Sequence, residues 1–187
     1  MIKTTNIQDA LRNLAGLVPT EIGAPYGGGF FAGTFLLNEQ VFALIVAPKA
    51  EGETVAVWRS KGKGQSPASS LRDGLANSAA IANGHHPAAA FCRDLKIGGF
   101  TDWYLPSRHE AALLAETLMP GADFVPEQTS AEAFKEGGPE AFERADYWTS
   151  TELSPAVAWV QGFDVGGQDG TGKDWSRRCR AVRKVTI

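Results

Sequence analysis

Cysteine, histidine, methionine and long apolar runs are all scarce in this chain, and each shortage removes a class of function. Two cysteines in 187 residues cannot make the dense disulfide framework of a small secreted scaffold. With 43% hydrophobic residues the chain can bury a substantial core without one. No apolar stretch approaches a membrane span, and Met1-Ile2-Lys3-Thr4-Thr5-Asn6 lacks the apolar centre of a signal peptide. The expectation is a protein made in the cytoplasm with no membrane insertion. The formal charge of −3 gives no overall attraction to nucleic acid, although Arg177, Arg178, Arg180, Arg183 and Lys184 make the C-terminus locally basic. No nucleic-acid partner is expected.

Chemical machinery is equally thin. His85, His86, Cys92 and His109 match no common zinc spacing, so no metal is expected. Gly167-Gln168-Asp169-Gly170-Thr171-Gly172-Lys173-Asp174 imitates a phosphate loop, but Asp174 stands where a magnesium-binding Ser or Thr belongs, and no helix signal follows. Gly27, Gly29 and Ala32 have the spacing of a dinucleotide fingerprint, yet Pro25 precedes them and a β-rich run follows. No nucleophile stands beside a base and no paired carboxylates occur, so neither catalytic residues nor a cofactor are assigned.

What is present reads as helices set between strands. Ile7, Ala10, Leu11, Leu14 and Leu17 have helical spacing, with Asn6 as cap, and define an N-terminal arm within residues 1–25 suited to oligomer or particle docking. Residues 26–187 form the domain proper. Phe30–Leu37 and Val41–Ala47 flank Asn38-Glu39-Gln40 as a hairpin, and Thr54–Trp58 is a third strand. Ser60–Asp73 is polar and glycine-rich, a surface loop. Asn77 is placed as the cap of a short helical turn through Ala82, and Pro87 opens a helix to Leu95. Cys92 shares a face with Ala88, Phe91 and Leu95, while Cys179 alternates with Ala181 and Val185, so both thiols point inward. Ser107 and Glu110 have capping-box spacing ahead of Leu113, Leu114, Thr117 and Leu118, and Pro120 ends that helix. Gly121–Ala145 reads as loop. Strands return at Tyr147, at Val157–Phe163 and at Ser176–Val185, with Gly166–Gly172 a loop before the last. The outcome is an α+β domain whose terminal strands can meet.

Three motifs recur in order: Gly98-Gly99-Phe100-Thr101-Asp102-Trp103-Tyr104-Leu105-Pro106-Ser107, then Tyr147-Trp148-Thr149-Ser150-Thr151-Glu152 with Ala158-Trp159 and Gly162-Phe163, then Arg180-Ala181-Val182-Arg183. In this the chain resembles the DUF1566 family, the domain at the C-terminus of Legionella collagen-like adhesins, in a variant associated with phage and prophage genes. The resemblance implies a C-type-lectin-like fold and a non-enzymatic protein of the virion, acting in decoration, attachment or recognition of a cell-surface glycan or receptor. Its partners would be other virion proteins, and it would be a homo-oligomer, with a trimer suggested by the adhesin likeness. The rival readings are a capsid or tail component without a ligand, and an enzyme on a formylglycine-generating-enzyme-like fold. Many relatives end in Arg-Cys-Val-Arg, whereas Ala181 fills the cysteine position here.

Trp103, Trp148 and Trp159 are assigned to the core, while Trp58 is left open between core and surface. The expected recognition surface is Gln168–Arg177, with Gln168, Asp169, Lys173, Asp174, Trp175 and Arg177 as ligand-binding residues. Permissive glycines, mixed charge and an aromatic face suit sugars or anionic polymers.

Overall fold

The computed structural model describes residues 18–60, 64–121 and 127–187. The helix expected at Asn6–Leu17 therefore lies outside the described residues, as do Lys61, Gly62 and Lys63 of the polar loop. The chain begins with β1 (Pro25–Tyr26), β2 (Gly29–Leu37) and β3 (Gln40–Val46), then a single helical turn α1 (Lys49–Gly52) and β4 (Glu53–Val57). Helices α2 (Gly74–Ile81), α3 (Pro87–Asp94) and α4 (Arg108–Leu118) occupy the middle. A 3-10 turn at Glu132–Phe134 leads into β5 (Asp146–Ser154), β6 (Val157–Gly162), β7 (Gln168–Gly172), β8 (Ser176–Arg180) and β9 (Val182–Thr186). Helices lie between strands at both ends of the chain, as expected of an α+β domain. Residues ahead of the expected boundary at 26 also join this body, since Gly23 donates to Phe31 and Ile22 packs on the core.

The strands form two sheets, in the orders β1-β2-β3-β9 and β4-β8-β5-β6-β7. The terminal strands do meet: β9 runs antiparallel to β3, with Val46 opposite Val182. Ala43, Leu44, Ile45, Val46 and Ala47 are all fully buried, the uninterrupted apolar run of a strand covered on both faces. Ile45 enters a core with Trp58, Trp103, Trp148 and Cys179, whereas Leu44 and Val46 enter a second core with Tyr104, Leu114, Phe142 and Phe163. The first sheet thus divides the interior in two.

The glycine turns have a common explanation. Gly27, Gly28, Gly98 and Gly99 all have positive φ, which L side chains resist. A side chain on Gly98 would also come within 2.5 Å of the Gly28 Cα. These are two backbone turns packed on each other. The motif that follows is fixed by the capping box, in which Ser107 accepts from the Glu110 amide and Glu110 accepts from the Ser107 amide at 2.7 Å.

Three expectations need correction. Asp73, not Asn77, caps α2, accepting from the Ala76 amide at 3.1 Å. Asn77 lies buried inside that helix, exchanging hydrogen bonds with the Ser70 backbone. The expected loop Gly166–Gly172 contains β7, paired with β6 along its length. Trp159 is only half-buried, because Ala158 and Val160 on either side of it take the inward face.

Candidate functional site

Gln168–Arg177 is a strand, a tight turn and a second strand, and this backbone splits the six expected ligand residues into different roles. Lys173, in the turn between β7 and β8, points inward. Its ammonium donates to the Glu152 carboxylate at 2.6 Å and to the Pro155 carbonyl at 3.1 Å, and lies 4.8 Å from the Trp58 ring. Burial lowers the Lys173 pKa and the Glu152 carboxylate opposes that shift. With its donors engaged internally, Lys173 locks the turn and is unavailable at the surface. Asp169 and Asp174 are exposed, and the Asp169 carboxylate holds the amide of Gly170 at 2.7 Å.

Trp175 is 58% exposed, with the Arg177 guanidinium 5.1 Å from its ring. Arg177 is held in turn by Asp146 at 3.2 Å. Gln168, at the other end of β7, accepts from Arg108 Nε and donates to the Arg108 carbonyl, both at 2.8 Å. That clamp lays the Arg108 guanidinium over the Trp159 ring at 3.8 Å.

Register joins these two ends into one surface. Gly170 stands opposite Trp159 and Gly172 opposite Val157, so these four positions share a face. A side chain on Gly170 would meet Leu153 at 2.6 Å and Val157 at 2.8 Å, and one on Gly172 would meet Trp175 at 3.3 Å. The glycines therefore leave room for neighbouring apolar groups to lie across the strand. The result is a shallow stripe running from Arg108 on Trp159, over Leu153 and Val157, to Trp175 beside Arg177. Gly170 to Gly172 spans roughly 7 Å, and Arg108 and Trp175 extend the stripe beyond them at either end.

At the Arg108 end the stripe opens into a cleft of about 290 Å³, lined by Leu71, Arg72, Arg108, His109, Ala112 and Gln168. His109 also meets Phe35 edge-on at 6.3 Å. Burial and then the Arg72 charge lower its pKa, with Glu116 opposing, which favours the neutral ring. A larger cavity of about 530 Å³ lies beside Lys49, Arg144 and Arg178, but its own lining carries carboxylates that pair with these cations: Lys49 with Glu143 and Arg144 with Glu136.

The histidines considered for metal chemistry do not converge with the thiols, whereas Cys92 and Cys179 meet in one core. Among the described residues no cluster of three or more His, Cys, Asp or Glu could hold a metal. His86 packs against the Trp58 ring, whereas His109 stands on α4. Cys92 and Cys179 are free and buried, and burial followed by a hydrogen bond from the Cys92 thiol to Cys179 raises the Cys92 pKa, so the thiol stays protonated. No helix of the described residues is long and apolar enough to cross a membrane.

The sequence reading missed Arg108, Leu153 and the cleft, and placed Trp159 in the core. One signal for Arg108 was available. A cation in the first turn opposes the helix dipole, so helix stability alone gives no reason for an arginine at that position. The comparison with protein families agrees with the motif order: the family described as the Lcl C-terminal domain, the DUF1566 family, matches residues 51–183, and the chain belongs to it. No curated protein matches the chain.

Proposed function

We propose that this member of the Lcl C-terminal domain family is a non-enzymatic, virion-associated module of a phage or prophage, which attaches the particle to a cell-surface glycan through the stripe from Arg108 to Trp175. The observation that carries this reading is the pairing of an exposed Trp175 with a stacked Arg108–Trp159 on one glycine-floored face. Flat aromatic surface suits the apolar faces of sugar rings, and the adjoining Arg108, Gln168 and Arg177 suit hydroxyl and acidic groups. In a C-type-lectin-like arrangement, the first hairpin and last strand close the domain while the late strands present the ligand surface. A shallow site of this kind binds weakly alone, and a homo-oligomer, such as a trimer on the particle, would multiply it into useful avidity.

The test is a glycan array probed with the wild-type protein and with Trp175→Ala, accompanied by proteomics of purified particles. Trp175→Ala is expected to lower glycan retention at least tenfold without moving the melting temperature, because the ring is largely in solvent. Retention of no glycan by a particle-borne protein would favour passive decoration, and absence from particles would remove the virion assignment.

A further inference from the structure

We infer that the cleft beside α4 is a carboxylate subsite, taking the acid group of a sugar on the polymer that lies along the stripe; this rests on the glycan reading above. The lining contains two arginines, a histidine, a glutamine and apolar Leu71 and Ala112, with no carboxylate among them. Arg108 is already positioned. Its Nε is tied to Gln168 and its plane to Trp159, while its two terminal nitrogens have no hydrogen-bond partner among the described residues. A guanidinium fixed in this way presents a flat pair of N–H groups, which match the two oxygens of a carboxylate.

The local backbone favours a planar acid over a tetrahedral one. Phosphate and sulfate sites at helix starts draw on free amides, but here the Arg108 amide donates to Thr151, the His109 amide to Leu71 and the Glu110 amide to Ser107. Side chains must therefore do the binding. A peptide added along β7 would want edge amides, and Asp169 already holds that of Gly170. The glycine-floored aromatic stripe runs directly into the cleft through Gln168, so a sugar chain reaches it without leaving its platform. Leu71, 51% exposed, supplies an apolar wall for the ring that bears the acid.

The experiment is calorimetric titration of the intact protein, at fixed salt, with oligogalacturonate, oligoguluronate and sialyllactose. Each is paired with its methyl ester, and sulfated lactose and a short peptide with a free C-terminal carboxylate complete the set. At least one acid is expected to bind about tenfold or more tightly than its ester. Arg72→Ala, at an exposed position, should bring that ratio close to one while leaving ester binding within about twofold; Arg108→Lys, which keeps the charge but loses the fork, should also bring the ratio close to one, with ester binding lowered as well because Arg108 belongs to the stripe. Trp175→Ala should weaken acid and ester alike and preserve the ratio. A ratio near one for every wild-type pair, a ratio insensitive to both arginines, a preference for sulfated lactose, or stronger binding of the peptide would each overturn the subsite. If esters bind and respond to Trp175→Ala without any acid preference, the subsite fails and the glycan reading stands; if no saccharide binds, both fail.

Discussion

At the scale of single residues, the tryptophans separate into two kinds. Trp103 and Trp148 are fully buried, so replacing either by Ala should cost about 3–5 kcal/mol. Trp159→Ala should cost only about 1–2 kcal/mol, since part of the ring already faces solvent and the stacked Arg108 adds about 0.5–1 kcal/mol. Urea unfolding checks this directly; equal losses at all three positions would contradict the assignment of Trp159 to the surface stripe. Lys173 is a second discriminating residue. Lys173→Met leaves the buried Glu152 carboxylate without its 2.6 Å partner and should cost about 3–5 kcal/mol, most of it recovered in the double variant with Glu152→Leu. His86 sets a pH dependence. Burial, helped by the Arg59 and Lys173 charges, pushes its pKa down to about 4 from the usual 6.5. Between those values the unfolded chain binds more protons than the folded one, so the His86 contribution to stability falls as pH drops from 6.5 to 4. The loss should be about 1–3 kcal/mol, read from melting temperatures across that range, and His86→Phe should remove that component of the pH dependence.

At the scale of elements, the hairpin and the α4 start were legible because each is fixed by nearby residues. Asn38 and Glu39 link β2 to β3 with φ of 50° and 64°, the tight turn that favours glycine at its second position. Glu39→Gly should therefore stabilise the protein by about 0.5–1 kcal/mol, the relief of a left-handed Glu exceeding the entropy lost by glycine. A lower urea midpoint for that variant would contradict the turn geometry. The capping box was equally plain in Ser107 and Glu110, but its wider reach was not. Glu110 also accepts from Gly74 at 3.1 Å and Tyr104 at 2.7 Å, contacts across the sequence that no local pattern encodes. The cap of α2 was misplaced for the related reason that Asp73 and Asn77 are both good caps, and only the tertiary partner at Ser70 drew Asn77 inside. β7 stayed hidden because Gln168-Asp169-Gly170-Thr171-Gly172 has loop composition; its strand form comes from β6 and from Leu153 and Val157 lying over Gly170. Even so, alternation with Ala158 and Val160 could have placed Trp159 outside. The family motifs obscured that simpler period-two argument.

At the scale of the whole molecule, the division of the interior by the first sheet does not divide the protein into two folding units, because each half-core draws on both sheets. Trp148 and Tyr147 are neighbours on β5 yet enter different cores, as do Ala181 and Val182 near the C-terminus. Arg180 is the side chain that ties these parts most directly. It is almost wholly buried, and its Nε donates to the Ala47 carbonyl at 3.0 Å. Its terminal nitrogens bond the Glu140 carbonyl and carboxylate, each at 2.6 Å, while its guanidinium lies 4.8 Å from the Phe142 ring. One residue on β8 thus holds the chain leaving β3 and the connection ahead of β5. Arg180→Met would fill much of the same space but strand the Ala47 carbonyl and leave the buried Glu53 and partly buried Glu140 carboxylates with less countercharge, a loss of about 3–5 kcal/mol. Calorimetry should show one transition in both proteins, moved to lower temperature in the variant, with calorimetric and van't Hoff enthalpies still equal. If Arg180→Met instead split the melt into two transitions, the cores would be separable units joined mainly through this guanidinium. A single transition would show that the shared strands β3, β5 and β9 already make the domain cooperative, so that Arg180 strengthens a unity created by the topology.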